Sequence, residues 1–113
     1  MSVALSLTVW ERLVLLQTLP EDAPRSKLNQ YLRLDDALSF TPEERTEVGM
    51  ASVSGGGVTW KDQKRQFDIE IDQADFEVLF DQCQARQTWP RSPKSQELLR
   101  QLQDLAGRDM RPA

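Results

Sequence analysis

The spacing of apolar residues predicts that the chain opens on a helix that is apolar nearly all round. Thr8 and Glu11 have the spacing of a capping box, in which a threonine hydroxyl and a glutamate three residues later bond each other's backbone amides. Polar residues interrupt the pattern only at Glu11, Arg12 and Gln17, and Pro20 ends the helix. Such a helix is central in its domain, or gives one face to a second subunit.

Two further helices are predicted before residue 50. The second covers roughly residues 27–39 with Ser26 as its N-cap. Its inward stripe comprises Leu28, Tyr31, Leu32 and Leu38, with Leu34 off the stripe. The third begins at Thr41-Pro42-Glu43-Glu44, where a threonine cap, a proline at the first helical position and a second capping box coincide. Gly49 ends it soon afterwards.

From Met50 the apolar period changes to two, which indicates β-structure. Apolar residues on both sides of Ser54-Gly55-Gly56-Gly57 predict a β-hairpin over residues 50–60 with a glycine-rich tip. A second extended run over residues 67–72 alternates apolar with acidic side chains and is a candidate third strand of the same sheet.

Two helices are predicted in the last third of the chain, separated by a break at residues 89–93. The fourth runs from residue 72 or 73 to about 87, with the inward stripe Phe76, Leu79, Phe80 and Cys83. The fifth covers about residues 94–106, with Leu98, Leu99, Leu102 and Leu105 inward and Gly107 as C-cap. Residues 108–113 are expected to fray. The whole pattern predicts one α+β domain over residues 1–113, with four to five helices packed on a small antiparallel β-hairpin or sheet.

Histidine is absent from the 113 residues, and Cys83 is the only cysteine. A Ser-His-Asp triad, a Cys-His pair and a Cys/His zinc site are therefore excluded. Carboxylates, lysine, arginine, tyrosine and serine remain, and they form no recognisable catalytic arrangement, so we predict no catalytic residue and no cofactor. Cys83 lies on an apolar helix stripe, which predicts a buried, unreactive thiol.

The chain carries a net charge of −4, unevenly distributed. Residues 1–82 hold 8 Lys/Arg and 15 Asp/Glu, whereas residues 83–113 hold 6 Lys/Arg and 3 Asp/Glu. An acidic chain argues against nucleic-acid binding, because phosphate contacts supply most of the affinity of such proteins. The basic tail is expected to dock on the acidic body of its own chain or of a neighbour. The longest apolar run, residues 13–16, is too short to cross a bilayer, and no secretory signal opens the chain, so a cytoplasmic location is expected.

Several local runs resemble a group of small phage and prophage proteins. They are the segment from Leu7-Thr8-Val9-Trp10 to Leu19-Pro20, Leu38-Ser39-Phe40 with Glu43-Glu44, and Val58-Thr59-Trp60. The resemblance covers roughly residues 7–72 and rests on apolar spacing and a few turn residues. It implies a phage origin, hence the host cytoplasm, and a fold type. The resemblance implies no activity and no site residues.

Two patterns invite comparison with metal and phosphate sites. Asp68, Glu70 and Asp72 share one strand face and carry the oxygen ligands that magnesium and calcium prefer. A solvated face that deters edge pairing is the preferred interpretation, so we predict no metal. The glycine run presents backbone amides of the kind that bind phosphate. It lies between strands rather than before a helix, which favours a hairpin tip, with a flexible lid or contact loop as the alternative.

Three tryptophans offer candidate contact surfaces. Trp10 is expected in the core, Trp60 lies in a strand with an open outer face, and Trp89 stands between Arg86 and Arg91. An aromatic ring flanked by arginines is typical of sites that stack a base or nucleotide, although most such tryptophans pin a loop to the core. The candidate ligand or partner contacts are Trp60, Trp89, Arg86, Arg91, Gly55, Gly56 and Gly57.

These observations predict a small phage-encoded, non-enzymatic binding protein that engages a host protein or sequesters a small nucleotide-like ligand, of the counter-defence or host-takeover type. A virion or assembly component, which would use the apolar first helix as a self-complementary surface, is the first alternative. A metal-dependent phosphoryl enzyme using Asp68, Glu70 and Asp72 is the second. The spare apolar faces of the first helix also predict a homodimer, with the helix over residues 94–106 of one chain lying on the other.

Overall fold

A two-stranded antiparallel sheet joins the start of the chain to its middle. In the computed structural model, which describes residues 1–108, β1 (Ser2–Thr8) pairs with β4 (Gln66–Asp72) along its whole length, from Ser2 opposite Asp72 to Thr8 opposite Gln66. Odd positions face the core, and these buried side chains are Val3, Leu5, Leu7, Phe67, Ile69 and Ile71. Even positions make the outer face, where the acidic side chains of β4 are exposed.

The sequence-based arrangement of the strands was wrong in one respect. Residues 67–72 pair with β1, a strand that was not predicted, and not with the hairpin. The hairpin forms a separate, exposed sheet of β2 (Ala51–Ser52) and β3 (Val58–Thr59). The physical reason is burial: β1 supplies an alternating apolar face that matches that of β4, whereas β2 and β3 have two exposed residues each.

The α+β architecture is confirmed, with five α-helices within residues 1–108. They are α1 (Val9–Thr18), α2 (Leu28–Leu38), α3 (Pro42–Val48), α4 (Gln73–Ala85) and α5 (Pro93–Ala106). Both predicted capping boxes form, at Thr8 with Glu11 and at Thr41 with Glu44. Gly49 ends α3 in the left-handed region at φ 67°, and Gly107 ends α5 at φ 70°, as glycine permits. Among residues 1–108, no helix combines the length and the apolar character that a transmembrane span requires.

The buried face of α2 differs from the predicted stripe. Leu34 has no exposed surface, and Tyr31 and Leu38 are buried with it, whereas Leu28 and Leu32 are 45% and 57% exposed. Positions 31, 34 and 38 also have helical spacing, so the sequence carried two overlapping stripes, and packing against β4 and α4 selected the second. The predicted cap at Ser26 is wrong too: Ser26 lies in a 3₁₀ turn, Arg25–Lys27, and α2 begins without a side-chain cap.

Arg12 was predicted to interrupt an apolar helix, yet it is one of the most deeply buried side chains, at 1% exposure. Its guanidinium donates to the carbonyl oxygens of Leu38 at 3.0 Å and Ser39 at 2.6 Å, and to the carboxylate of Glu44 at 3.0 Å. The guanidinium carbon also lies 4.0 Å from the centroid of the Phe40 ring. We call these residues the Arg12 cluster; they tie α1 to the end of α2 and the start of α3.

The other apolar residues of α1 pack against the core of the same chain to different extents. Val9, Val14 and Leu15 are buried, while Trp10, Leu13 and Leu16 are half-buried against the core. α5 packs on its own chain through Leu98 and Leu102, with Leu99 half-buried and Leu105 39% exposed. Its Gln101 side chain accepts from the amide of Ser6 and donates to the carbonyl of the same residue, which covers part of the β1 edge.

The basic tail, residues 83–113, contacts the acidic body through Arg108. Arg108, where we expected fraying to start, donates to the carboxylate of Glu77 and lies 4.4 Å from the centroid of the Phe80 ring. The other residues predicted to fray, 109–113, lie outside the described residues.

Candidate functional site

The break between α4 and α5 forms the wall of an open surface groove of about 460 Å³. Its apolar lining comes from Trp89, Pro90, Pro93 and Leu99, and its polar lining from Arg91, Ser92, Ser95 and Gln96. We call it the Trp89 groove. An apolar floor with a few polar groups at its rim is the usual make-up of a recognition site.

Hydrogen bonds hold the segment between the two helices in one shape. The hydroxyl of Ser95, which is buried, donates to the carbonyl of Pro90 at 2.7 Å, and the amide of Ser92 donates to the same oxygen at 2.9 Å. The Ser92 side chain caps α5 by accepting from the amide of Lys94. Pro93 occupies the first turn of α5, where its missing N–H costs nothing. The groove is therefore built before any ligand arrives.

Arg86 fixes the indole of Trp89 from one side. Its guanidinium carbon lies 4.7 Å from the centroid of the Trp89 ring, and its Nε donates to the carbonyl of Thr88 at 2.8 Å. Its Nη1 donates to the hydroxyl of Thr18 at 2.7 Å, which links the segment to the end of α1. Arg86 does not line the groove, and its hydrogen bonds go to groups of the protein itself.

Arg91 is the one cationic side chain among the residues that line the groove. It is exposed, it lines the groove, and no hydrogen bond or ion pair holds it among the described residues. Lys94, three residues later, lies outside the lining with its Nζ 5.7 Å from the centroid of the Trp10 ring. The site therefore combines an aromatic and proline-rich surface with one free guanidinium.

The structure divides the predicted contact residues into two groups. Trp89 and Arg91 line the groove, and Arg86 lies on the Trp89 ring just outside the lining. Trp60 is half-buried against the core, and Gly55, Gly56 and Gly57 are exposed at the tip of the β2–β3 hairpin; none of these four lines the groove. Gly55 and Gly56 have φ of 94° and 86°, values that a hairpin tip requires and that glycine adopts without strain.

The acidic strand face and the cysteine lie apart from the Trp89 groove. Asp68, Glu70 and Asp72 are exposed on the outer face of β4, and within residues 1–108 no three carboxylate or thiol groups come close enough together to hold a metal ion. Cys83 is buried, and burial raises the pKa of its thiol to about 12 against a smaller opposing effect of Arg86. The thiol is therefore protonated at neutral pH.

Sequence reasoning missed the prolines and Leu99 as parts of the site. Pro90 and Pro93 were interpreted as a chain break, and Leu99 as a core residue, although it is half-buried at the groove. A signal was present, because a tryptophan followed by two closely spaced prolines concentrates rigid apolar surface in a polar segment.

Comparisons with protein-family models, with curated proteins and with solved structures find no match to this chain, so the proposals below stand on its own geometry.

Proposed function

We propose that this protein is a small non-enzymatic binding protein that holds an extended segment of a partner protein in the Trp89 groove. The observation that carries the proposal is the pairing of a preformed aromatic surface with an unpaired arginine, Arg91, at its rim. Because the loop is already fixed by hydrogen bonds, binding there orders few groups of the protein itself, which favours affinity.

The shape of the groove favours a protein segment over a small molecule. Small ligands bind in concave sites that bury most of their surface, whereas the Trp89 groove is open along the surface. A segment of a partner lays successive side chains along such a groove, and tryptophan and arginine are the residue types that most often dominate protein interfaces.

The lining also specifies the chemistry of the segment. Trp89, Pro90 and Leu99 suit an aromatic or proline side chain, and Arg91 suits a carboxylate next to it. We therefore propose a partner segment that combines an acidic residue with an aromatic or proline residue. The resemblance to phage proteins makes a host protein the expected partner.

The experiment is a selection of peptides on the immobilised protein. A library of random linear peptides is enriched on the wild type, and the winners are measured by titration against wild type, Trp89→Ala and Arg91→Glu. We expect enriched peptides to carry the acidic and aromatic or proline pattern and to lose binding to both variants. In a nitrogen-15 correlation spectrum, the indole N–H signal that vanishes in Trp89→Ala is expected to shift on titration.

Arg100→Glu is the matched control. Arg100 lies on the same helix as the groove wall but lines a different groove, so the same charge change there is expected to leave peptide binding intact. Peptides that bind all variants equally, or that shift only the Trp10 and Trp60 indole signals, contradict the proposal. If nucleotides shift the Trp89 signal and no peptide does, the protein sequesters a small ligand instead.

A further inference from the structure

We propose that the protein forms a symmetric homodimer in which the exposed stripe of α2 packs antiparallel against the same stripe of a second copy. The stripe comprises Arg25, Leu28, Leu32 and Asp35, and we call it the α2 seam. This surface is separate from the Trp89 groove, and the inference does not depend on the proposed function.

The α2 seam exposes apolar surface that the fold itself does not cover. Leu28 and Leu32 are 45% and 57% exposed, and among the large apolar side chains of the described residues only Met1 is more exposed than either. Together with the half-buried Leu16 and Leu19, they line a groove of about 290 Å³ between α2 and the end of α1. Two exposed leucines one helical turn apart are typical of a helix that packs on a partner helix.

The order of residues along the seam is self-complementary. Leu28 and Leu32 are four residues apart on the α-helix, and Asp35 follows three residues later, so all three share one face. Arg25 lies in the 3₁₀ turn before α2, and side chains three apart in that geometry eclipse, which places Arg25 in line with Leu28. The spacings are three, four and three, which is symmetric about residue 30.

An antiparallel copy therefore meets complementary groups at every position. With a two-fold axis at residue 30, Leu28 of one chain lies opposite Leu32 of the other, and Arg25 lies opposite Asp35. Each contact occurs twice, which gives an apolar centre closed by an ion pair at each end. Isologous two-fold interfaces are the commonest symmetric assembly, and they require this kind of self-complementary surface.

The charged side chains at the two ends of the seam have no partner among residues 1–108. The Arg25 guanidinium and the Asp35 carboxylate make no ion pair or hydrogen bond in the described part of the chain. They lie about 16 Å apart along the axis, too far to pair with each other in one chain. By contrast, Arg33 on the neighbouring face is already engaged by the buried carboxylate of Asp75. The unpaired groups are those that a second copy would match.

The first experiment measures sedimentation of the wild type and of two exposed leucine variants. We expect the wild type to sediment at twice the 13.0 kDa chain mass at high micromolar concentration and Leu32→Glu to sediment as a monomer. Leu105→Glu, a matched change at a leucine of 39% exposure on α5, is expected to leave the dimer intact. Because these leucines are exposed, circular dichroism is expected to show unchanged folding.

The second experiment tests the antiparallel register by charge exchange. Arg25→Glu alone places two acidic groups at each end of the dimer, and Asp35→Arg alone places two basic groups there, so each variant is expected to be monomeric. In an equimolar mixture of the two variants, every end again holds opposite charges. We expect the mixture to form a dimer that contains one chain of each variant, which native mass spectrometry resolves by mass.

Three results overturn the proposal. They are a wild type that stays monomeric at every concentration, a dimer that survives Leu32→Glu, and a mixture of the charge variants that does not associate although the wild type does. A monomeric wild type that instead binds a basic amphipathic helical peptide through Leu28 and Leu32 would assign the α2 seam to a foreign helix.

Discussion

Arg12 and Arg86 are both arginines placed on aromatic rings, and they lie in very different surroundings. Arg12 is buried, and its donors go to two backbone carbonyls and to Glu44. Arg86 is half-buried, and its donors hold a surface segment against the end of α1. The same residue type therefore supports the core in the first region and fixes a surface segment beside the Trp89 groove in the second, and the burial of its partners distinguishes the two roles.

Arg12→Met is expected to have the largest effect of any change at these sites. It leaves the carbonyls of Leu38 and Ser39 without their donor and the Glu44 carboxylate without its partner, which costs about 3–5 kcal/mol of unfolding free energy. Urea unfolding, followed by circular dichroism, measures this loss of unfolding free energy. Arg45→Met on the exposed side of α3 is the control and is expected to change stability by less than about 0.5 kcal/mol. A loss of under 1 kcal/mol for Arg12→Met would show that the cluster is not a stabilising element.

Arg86→Met is expected to cost less stability, about 1–2 kcal/mol, because its hydrogen bonds are fewer and partly open to water. Its larger effect is expected on the Trp89 groove, since the indole loses the guanidinium that fixes it. Hydrogen exchange of residues 87–92 measures this, and exchange in that segment is expected to speed up while the helices remain protected. Equal acceleration throughout the chain would mean that Arg86 supports the core as Arg12 does.

Thr41→Ala tests the helix cap that holds Glu44 of the Arg12 cluster. The Thr41 hydroxyl accepts from the amide of Glu44, so the change leaves that amide without its partner and is expected to cost about 1 kcal/mol. Thr46→Ala is the control within α3: its hydroxyl only donates back to the Pro42 carbonyl, so a change of under about 0.5 kcal/mol is expected. Chemical denaturation measures the unfolding free energy of both variants. Equal losses of unfolding free energy would contradict a specific role of the Thr41 cap.

The smallest change in unfolding free energy is expected on acidification. Burial opposes ionisation of Glu44, but hydrogen bonds from Arg12 and Thr41 outweigh it and lower the pKa of this carboxyl below its ordinary value of 4.5. A lowered folded-state pKa gives stability that is present above the unfolded pKa and is lost as pH falls through the folded one. Unfolding free energy is therefore expected to fall on acidification below about pH 4.5. The Glu44→Gln variant is expected to be less stable at neutral pH, and its unfolding free energy is expected to fall less steeply on acidification. The same dependence of unfolding free energy on pH in both proteins would contradict the role given to the Glu44 carboxyl.

The elements that depend on neighbouring residues were predicted well. Both capping boxes, the left-handed glycines at 49 and 107, and the buried stripe of α4 follow from spacings of a few residues, and all are present. The pairing of β1 with β4 was missed, although Val3, Leu5 and Leu7 alternate, because it depends on a partner far along the chain. The burial of Arg12 was missed for the same reason: its acceptors come from α2 and α3.

In the candidate site, too, the residues close together in sequence were singled out, and those whose position depends on distant packing were missed. Trp89, Arg86 and Arg91 were candidate contact residues because they lie within six residues of each other; Arg91 lines the groove with Trp89, and Arg86 lies on the Trp89 ring outside the groove. Leu99 was predicted to face inward, but it is half-buried at the groove. Helical spacing alone does not show where the packing surface of a neighbouring element ends. The choice between Leu28 with Leu32 and Leu34 with Leu38 on α2 was likewise undetermined by spacing alone.

The long separation of β1 from β4 also orders events during synthesis. Each residue of β1 pairs with a residue that lies between 58 and 70 positions later in the chain. At ordinary translation speeds, its partner strand is made on the order of 3–15 s after it. During that interval Val3, Leu5 and Leu7 have no sheet to bury them, so the newborn chain carries an exposed apolar strand, which chaperones bind or which aggregates when production is fast.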